Sequence, residues 1–194
     1  MTFNVIIIVT LILQINCYPS FKIGSTNLKI WNDRDRLTWK DFQGKPIDSV
    51  KTIYGKAGSA HSALSLKVIF CDHLSNYRVQ CYFDRNLSWV SGKGLGSELL
   101  LRHEQLHFDI YELYARKLRK GLDSLISAGS NNSRIEEEFI HNSSLLKEYS
   151  FRYDKETRHG VSPTNQEKWN LRVEKELKEL EQYSTTEKNF FCTK

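Results

Sequence analysis

With 194 residues, 40% of them apolar and 26% charged, the chain has the size and composition of one folded domain and too many core-forming residues for wholesale disorder. The formal charge is +5, and its Lys and Arg are spread through helical stretches. The densest stretch, "ARKLRKGL", alternates with apolar residues as a solvated helix face does, so nothing in the charge pattern points to nucleic acid.

The first residues, "MTFNVIIIVTLILQINCYPS", hold an apolar run from Val5 to Leu13 followed by small or polar residues. That is the form of a secretory signal peptide, here residues 1–20, and it is too short for a membrane span. Cleavage is expected near Cys17 or a few residues later; the alternative is a lipid anchor at Cys17, against which stands the large Asn16 before it. No other stretch is long and apolar enough to cross a bilayer. The expected product, residues 21–194, is a single domain, secreted or held in the periplasm or cell envelope. Export permits disulfides. Cys71 and Cys81, in "LKVIFC" and "RVQCYF", are expected to bridge two strands across the turn-prone "DHLSN", which leaves Cys192 over or paired with a retained Cys17. Three Asn-x-Ser/Thr sequons, at Asn86, Asn131 and Asn142, matter only in a eukaryotic secretory pathway.

From Leu28 to about Val90 the runs "LTW", "SALSLKVIF", "YRVQCYF" and "LSWV" are β-branched, aromatic and partly alternating, which predicts an antiparallel sheet. After the glycine-rich "SGKGLG", Ser97 is a candidate N-cap, and apolar residues recur at three- and four-residue steps from Glu98 to about Leu118. One long helix is expected there, ending near Gly121, with Lys117, Arg119 and Lys120 facing solvent. "SRIE" has the capping-box form, so a second helix should begin at Ser133 and run to about Tyr149. Ser162 followed by Pro163 opens a third that continues through Trp169 and Leu180. Strands followed by helices give an α+β domain.

The long helix contains "HEQLH". Residues four apart on an α-helix lie about 40° apart around the axis and about 6 Å along it, so His103 and His107 project from one face. Both can direct a ring nitrogen at one zinc ion, at the roughly 2.0 to 2.1 Å that zinc requires. Glu104 is turned by about 100° from His103. It flanks the metal, where a general base should stand to take a proton from a water whose pKa zinc lowers to about 7. This is the HExxH pattern of metallopeptidases; the bland alternative is an ordinary helix with packed or solvated histidines.

A catalytic zinc usually takes a third protein ligand. Glu112 and Asp109 face away from the histidine pair. The segment "YDKETRHG", residues 153–160, reads as a polar interhelical loop that concentrates Tyr153, Asp154, Glu156 and His159. His159 is the first choice for the third ligand, then Asp154, then Glu156. Tyr153 or Arg158 is the candidate to stabilise an oxyanion. His61 reads as structural or as a pocket wall, His73 as part of a turn, and His141 has no partner at metal-binding spacing.

Taken together, "LTWKDFQGKP", "YFDRNLSWV", "LLRHEQLHFDIYELYARKLRK" and "YDKETRHG" with the following Gln166 and Trp169 resemble a family of bacterial secreted proteins, described as zinc-dependent proteases and grouped as a domain of unknown function. The resemblance covers nearly the whole chain after the signal. It implies a zincin-like domain: an antiparallel strand-rich N-terminal half, an active-site helix and two further helices. It also implies His103 and His107 as zinc ligands, Glu104 as catalytic acid/base, and some role for His159. The chain departs from the family at His61, where Thr or another small residue is expected. The leading expectation is therefore an exported zinc metallohydrolase acting on a peptide or protein. The alternatives are a non-catalytic zinc-binding or envelope-interaction module, and a domain without metal.

Overall fold

The computed structural model describes residues 10–11, 27–46, 60–71, 73–185 and 187–188. Apart from Thr10 and Leu11, the expected signal segment lies outside them, as do Cys17 and Cys192. The chain is α+β. Strands β1 (Thr10–Leu11), β2 (Leu28–Ile30), β4 (Leu64–Cys71), β5 (His73–Asp84) and β7 (Glu187–Lys188) form one sheet, and β3 (Ala60–His61) pairs with β6 (Trp89–Val90) in a small second one. Helices α1 (Glu98–Ser127), α2 (Asn132–Thr157) and α3 (Pro163–Glu179) follow. Every pairing is antiparallel except β1 with β4, which is parallel.

Alternation explains β4 and β5. Leu64, Leu66, Val68 and Phe70 are buried on one face of β4, and Tyr77, Val79, Cys81 and Phe83 on β5. The register sets Leu66 opposite Cys81 and Cys71 opposite His73. Five strand positions, about 16 Å, therefore separate Cys81 from the place where a bridge to Cys71 would need it, against a Cα limit of about 7 Å. The expected disulfide is ruled out, and Cys81 is a buried free thiol. "LTW" also differs from expectation. Trp39–Asp41 is a turn of 3-10 helix, because Asp41 accepts from both the backbone N–H and the hydroxyl of Thr38.

Helix α1 starts as expected, with the Ser97 hydroxyl accepting from the Leu100 N–H, but it passes through Gly121. The apolar period carries on through Leu122, Leu125 and Ile126. The stop is Gly129, with φ of +68°, where the Gly129 and Ser130 N–H groups donate to the Ile126 and Leu125 carbonyls. Such a left-handed glycine closes a helix at little cost. Gly121 instead lies where a Cβ would meet the Glu138 carboxylate of α2.

Helix α2 is longer than expected at both ends. Asn131, two residues before Ser133, is the N-cap and accepts from the Arg134 N–H. The buried positions Ile135, Phe139, Asn142, Leu146, Tyr149, Tyr153 and Thr157 keep three- and four-residue steps well past Tyr149. Most of "YDKETRHG" is thus the last turn of a helix, and the chain leaves it only at Arg158, His159 and Gly160, all with positive φ. Two of these carry side chains, a conformation costing roughly 1 to 2 kcal/mol each. Helix α3 begins at Ser162 and Pro163 as expected. Asn131 and Asn142 are thereby a cap and a buried position of α2.

Helix α1 lies between the sheet and the other two helices. Phe108, Ile110, Tyr111, Leu113, Tyr114, Ala115, Leu118 and Leu122 are all buried, so the helix has almost no solvent face. Arg119 is correspondingly not on the surface: it is 2% exposed, donating to both oxygens of Glu112, twice to the Val79 carbonyl and once to that of Tyr183. Removing one partner of such a pair leaves the other charge buried alone. Arg119→Ala should lower the unfolding free energy by about 3 to 5 kcal/mol, read as a shift in the urea midpoint, whereas Lys120→Ala at an exposed position should shift it little.

Candidate metal centre

The one-turn spacing of His103 and His107 sets both imidazoles on the side of α1 that faces the end of α2. Their Nε2 atoms lie 3.2 Å apart. Asp154, on the last turn of α2, places Oδ1 3.2 Å from the His103 Nε2 and 3.0 Å from the His107 Nε2. One ion can sit about 2.1 Å from three atoms only when they are within about 3.6 Å of one another, and these are. The donor set is also chemically suitable: two imidazole nitrogens and a carboxylate oxygen, a combination that could hold a metal ion. Two neutral imidazoles, Asp154 and the adjacent Glu104 bring two negative charges, which a divalent cation balances.

Each member is held from behind. The His103 Nδ1 lies 3.2 Å from the Gln166 Oε1, which also accepts from the Tyr153 hydroxyl at 2.8 Å. An amide oxygen only accepts, so the Nδ1 facing it carries a proton, and a His103 that bound a metal would turn its Nε2 lone pair toward the cluster. The Gln166 amide nitrogen donates in turn to Asn170. The Tyr153 ring stacks on His103 with centroids 4.7 Å apart and meets His107 edge-on. Gly160 closes the other side: a Cβ there would lie 2.9 Å from the His103 Cβ and Cγ. Glu104 is buried, and its Oε2 accepts from the Ser62 hydroxyl at 2.6 Å.

His103, Glu104, His107 and Asp154 are therefore gathered at one place. Tyr153 is there too, but its hydroxyl is fully buried and spent on Gln166 and the His103 carbonyl, so it supports a ring instead of offering a free donor. His159 stands outside the cluster, 62% exposed, with Nδ1 3.6 Å from the Asp154 Oδ1. Glu156 is drawn off by the Trp169 indole N–H. Asp154 rather than His159 thus occupies the third position, because helix α2 continues to it. Ser62 and Gly160 drew no role in the sequence; the glycine of "RHG" was their one visible sign. A cavity of about 610 Å³ lined by Trp31, Arg36, Gln105, Asp109 and Arg116 among others lies across α1, on the face turned roughly 180° away.

The electrostatics follow from these contacts. Burial opposes ionisation of Asp154, but the His107 charge and the hydrogen bonds from His103, His107 and His159 outweigh it and hold the carboxyl well below its usual range. Burial likewise opposes a charge on His107, and Asp154, by charge and hydrogen bond, reverses the balance and raises its pKa. A hydrogen bond to Asp154 raises His159. Burial lowers His61, against the pull of Glu104.

The chain matches no protein-family model, no curated protein and no solved structure.

Two outcomes are expected. Because His107 holds its proton to higher pH than an ordinary histidine, that proton competes with a metal at every pH below the raised pKa, while Asp154 stays ionised. Zinc affinity should accordingly rise with pH, by up to about tenfold per unit, until the raised His107 pKa is passed; buffer-dependent heats of titration would count the released proton. Gly160→Ala forces a side chain onto His103 from a φ of +77°. It should weaken zinc about 10- to 100-fold, measured by competition with a chromophoric chelator.

Proposed function

We propose that the protein is an exported zinc metallohydrolase, a peptidase of zincin-like design, in which His103, His107 and Asp154 hold the ion and Glu104 is the general base. The observation that carries this reading is the juxtaposition of a three-atom ligand set with a carboxylate that belongs to neither the set nor any ion pair. Zinc bound there would lower the pKa of a coordinated water and polarise a carbonyl.

The residues divide the remaining work. Ser62 fixes one oxygen of Glu104, and the other accepts no hydrogen bond from the described residues. That oxygen is available to take a proton from the attacking water as the water oxygen bonds to the carbonyl carbon. The same proton can then pass to the amide nitrogen as the C–N bond breaks, giving a carboxylic acid and an amine. Gln166 keeps the His103 proton on Nδ1 throughout, and His159 shares the charge of Asp154. An exported chain agrees with the apolar N-terminal run, and among the described residues no helix is long and apolar enough to cross a membrane.

A second reading has one observation in its favour. His103 and Glu104 are both nearly inaccessible, at 3% and 5%, as suits an ion that only ties α1 to α2 in a non-catalytic module. Metal analysis after zinc loading should give about one equivalent, lost in Asp154→Asn and kept in His159→Ala with an affinity within about tenfold. Glu104→Gln should keep the zinc and lose hydrolysis of fluorescein-labelled casein. Wild-type protein that is fully loaded yet leaves casein and a mixed peptide library uncut would establish the second reading.

A further inference from the structure

The hydrolase reading requires a donor for the negative charge that develops on the substrate carbonyl oxygen, and Tyr153 is committed elsewhere. His61 ends β3, the short strand that lies against α1. The next residue, Ser62, donates to Glu104, so His61 lies one residue from that contact, on the segment packed against the Glu104 side of α1. The imidazole rests against Trp89 with centroids 6.1 Å apart and is half-buried, and its ring nitrogens have no hydrogen-bond partner among the described residues. Its charge interactions are with Glu104 and His107. It does not belong to the ligand set.

A half-buried imidazole without a partner leaves its N–H unpaid in water terms, and a partly desolvated donor interacts more strongly with a developing anion than one in bulk solvent. Trp89 lies beside the ring, and the β3–β6 pairing holds the backbone that carries it, which limits where the donor can move. We propose that His61 is a catalytic residue, donating a ring N–H to the carbonyl oxygen of the substrate as water adds to the carbon and the C=O electron pair moves to that oxygen. This rests on the hydrolase reading.

The test compares zinc-loaded wild type with His61→Ala and His61→Gln, using fluorescein-labelled casein for turnover and two inhibitors for binding. A phosphinic dipeptide carries a tetrahedral anion at the scissile position; acetohydroxamate engages the metal and Glu104. His61→Ala should retain its zinc and its acetohydroxamate affinity, lose about 100- to 1,000-fold in kcat with KM within about threefold, and lose phosphinate affinity by about 10-fold or more. His61→Gln, which restores an N–H donor, should recover part of both losses. Unchanged kcat and phosphinate affinity in His61→Ala would overturn the proposal, as would loss of zinc, which would make His61 a ligand. Wild type that neither cleaves casein nor binds the phosphinate overturns the hydrolase reading itself and this proposal with it, whereas a cleaving wild type beside an equally active His61→Ala overturns this proposal alone.

Discussion

Helix α1 is buried over most of its surface, with Arg102 and Lys120 among its few exposed positions, and that constraint organises the rest of the chain. The buried polar residues of such a helix each need a partner inside the protein. Gln105 accepts from the Leu37 N–H and donates to Asp109, which also receives the Trp31 indole and a forked Arg36. Glu112 takes Arg116 and Arg119. His103 has Gln166, and Glu104 has Ser62. Read along the helix, these contacts bind the loop after β2, strand β5, helix α3 and the segment after β3 to a single rod. The face that carries the histidines follows the same rule. His107 there has Asp154, 3.0 Å away.

How much of this was legible in the sequence depended on the range of the interaction. Local signals served well: Ser97, Ser162 and Pro163 start their helices where propensity says they should, and the HExxH spacing sets two imidazoles on one face. Glycine is a weaker stop signal than local propensity implies. Gly121 looked like a stop, but the apolar period through Leu122 and Ile126 continues past it because α2 and the sheet cover the helix there, and tertiary packing outweighs the roughly 1 kcal/mol that glycine costs a helix. The same bias shortened α2. Tyr153, Asp154 and Thr157 looked like loop polarity, yet Tyr153 and Thr157 continue the buried stripe begun at Ile135. Strand register lay beyond reach, since nothing local tells that Cys81 faces Leu66 instead of Cys71.

The third member of the cluster depends on where α2 ends. Read as a loop, "YDKETRHG" made His159 attractive, since a loop can bring any of its side chains to a distant site. Read as a helix end, the segment has little freedom. Asp154 lies next to the stripe residue Tyr153, turned about 100° from it around α2, and is aimed at α1 by the packing that holds Tyr153 against His103. His159 lies past the left-handed turn, and its N–H closes the helix on the Asp154 carbonyl. The strained pair Arg158 and His159 thus fixes Asp154 from the backbone side while the His159 ring approaches its carboxylate. Strain of this size persists where surrounding structure over-determines it, and here Gly160 against His103 supplies the determination.

The charge balance explains why the site and the fold are hard to separate. Asp154 and Glu104 are both nearly out of water, and an isolated buried carboxylate is costly. Without a cation, the His107 proton offsets Asp154, which is why the imidazole is more basic and the carboxyl more acidic than usual. A divalent cation would displace that proton and take over its charge. In either state the interaction spans α1 and the far end of α2, tying the two helices by charge as well as by packing. The position of Glu104 follows from the same packing: the carboxylate next to His103 is buried, and Ser62 donates to it from the segment after β3.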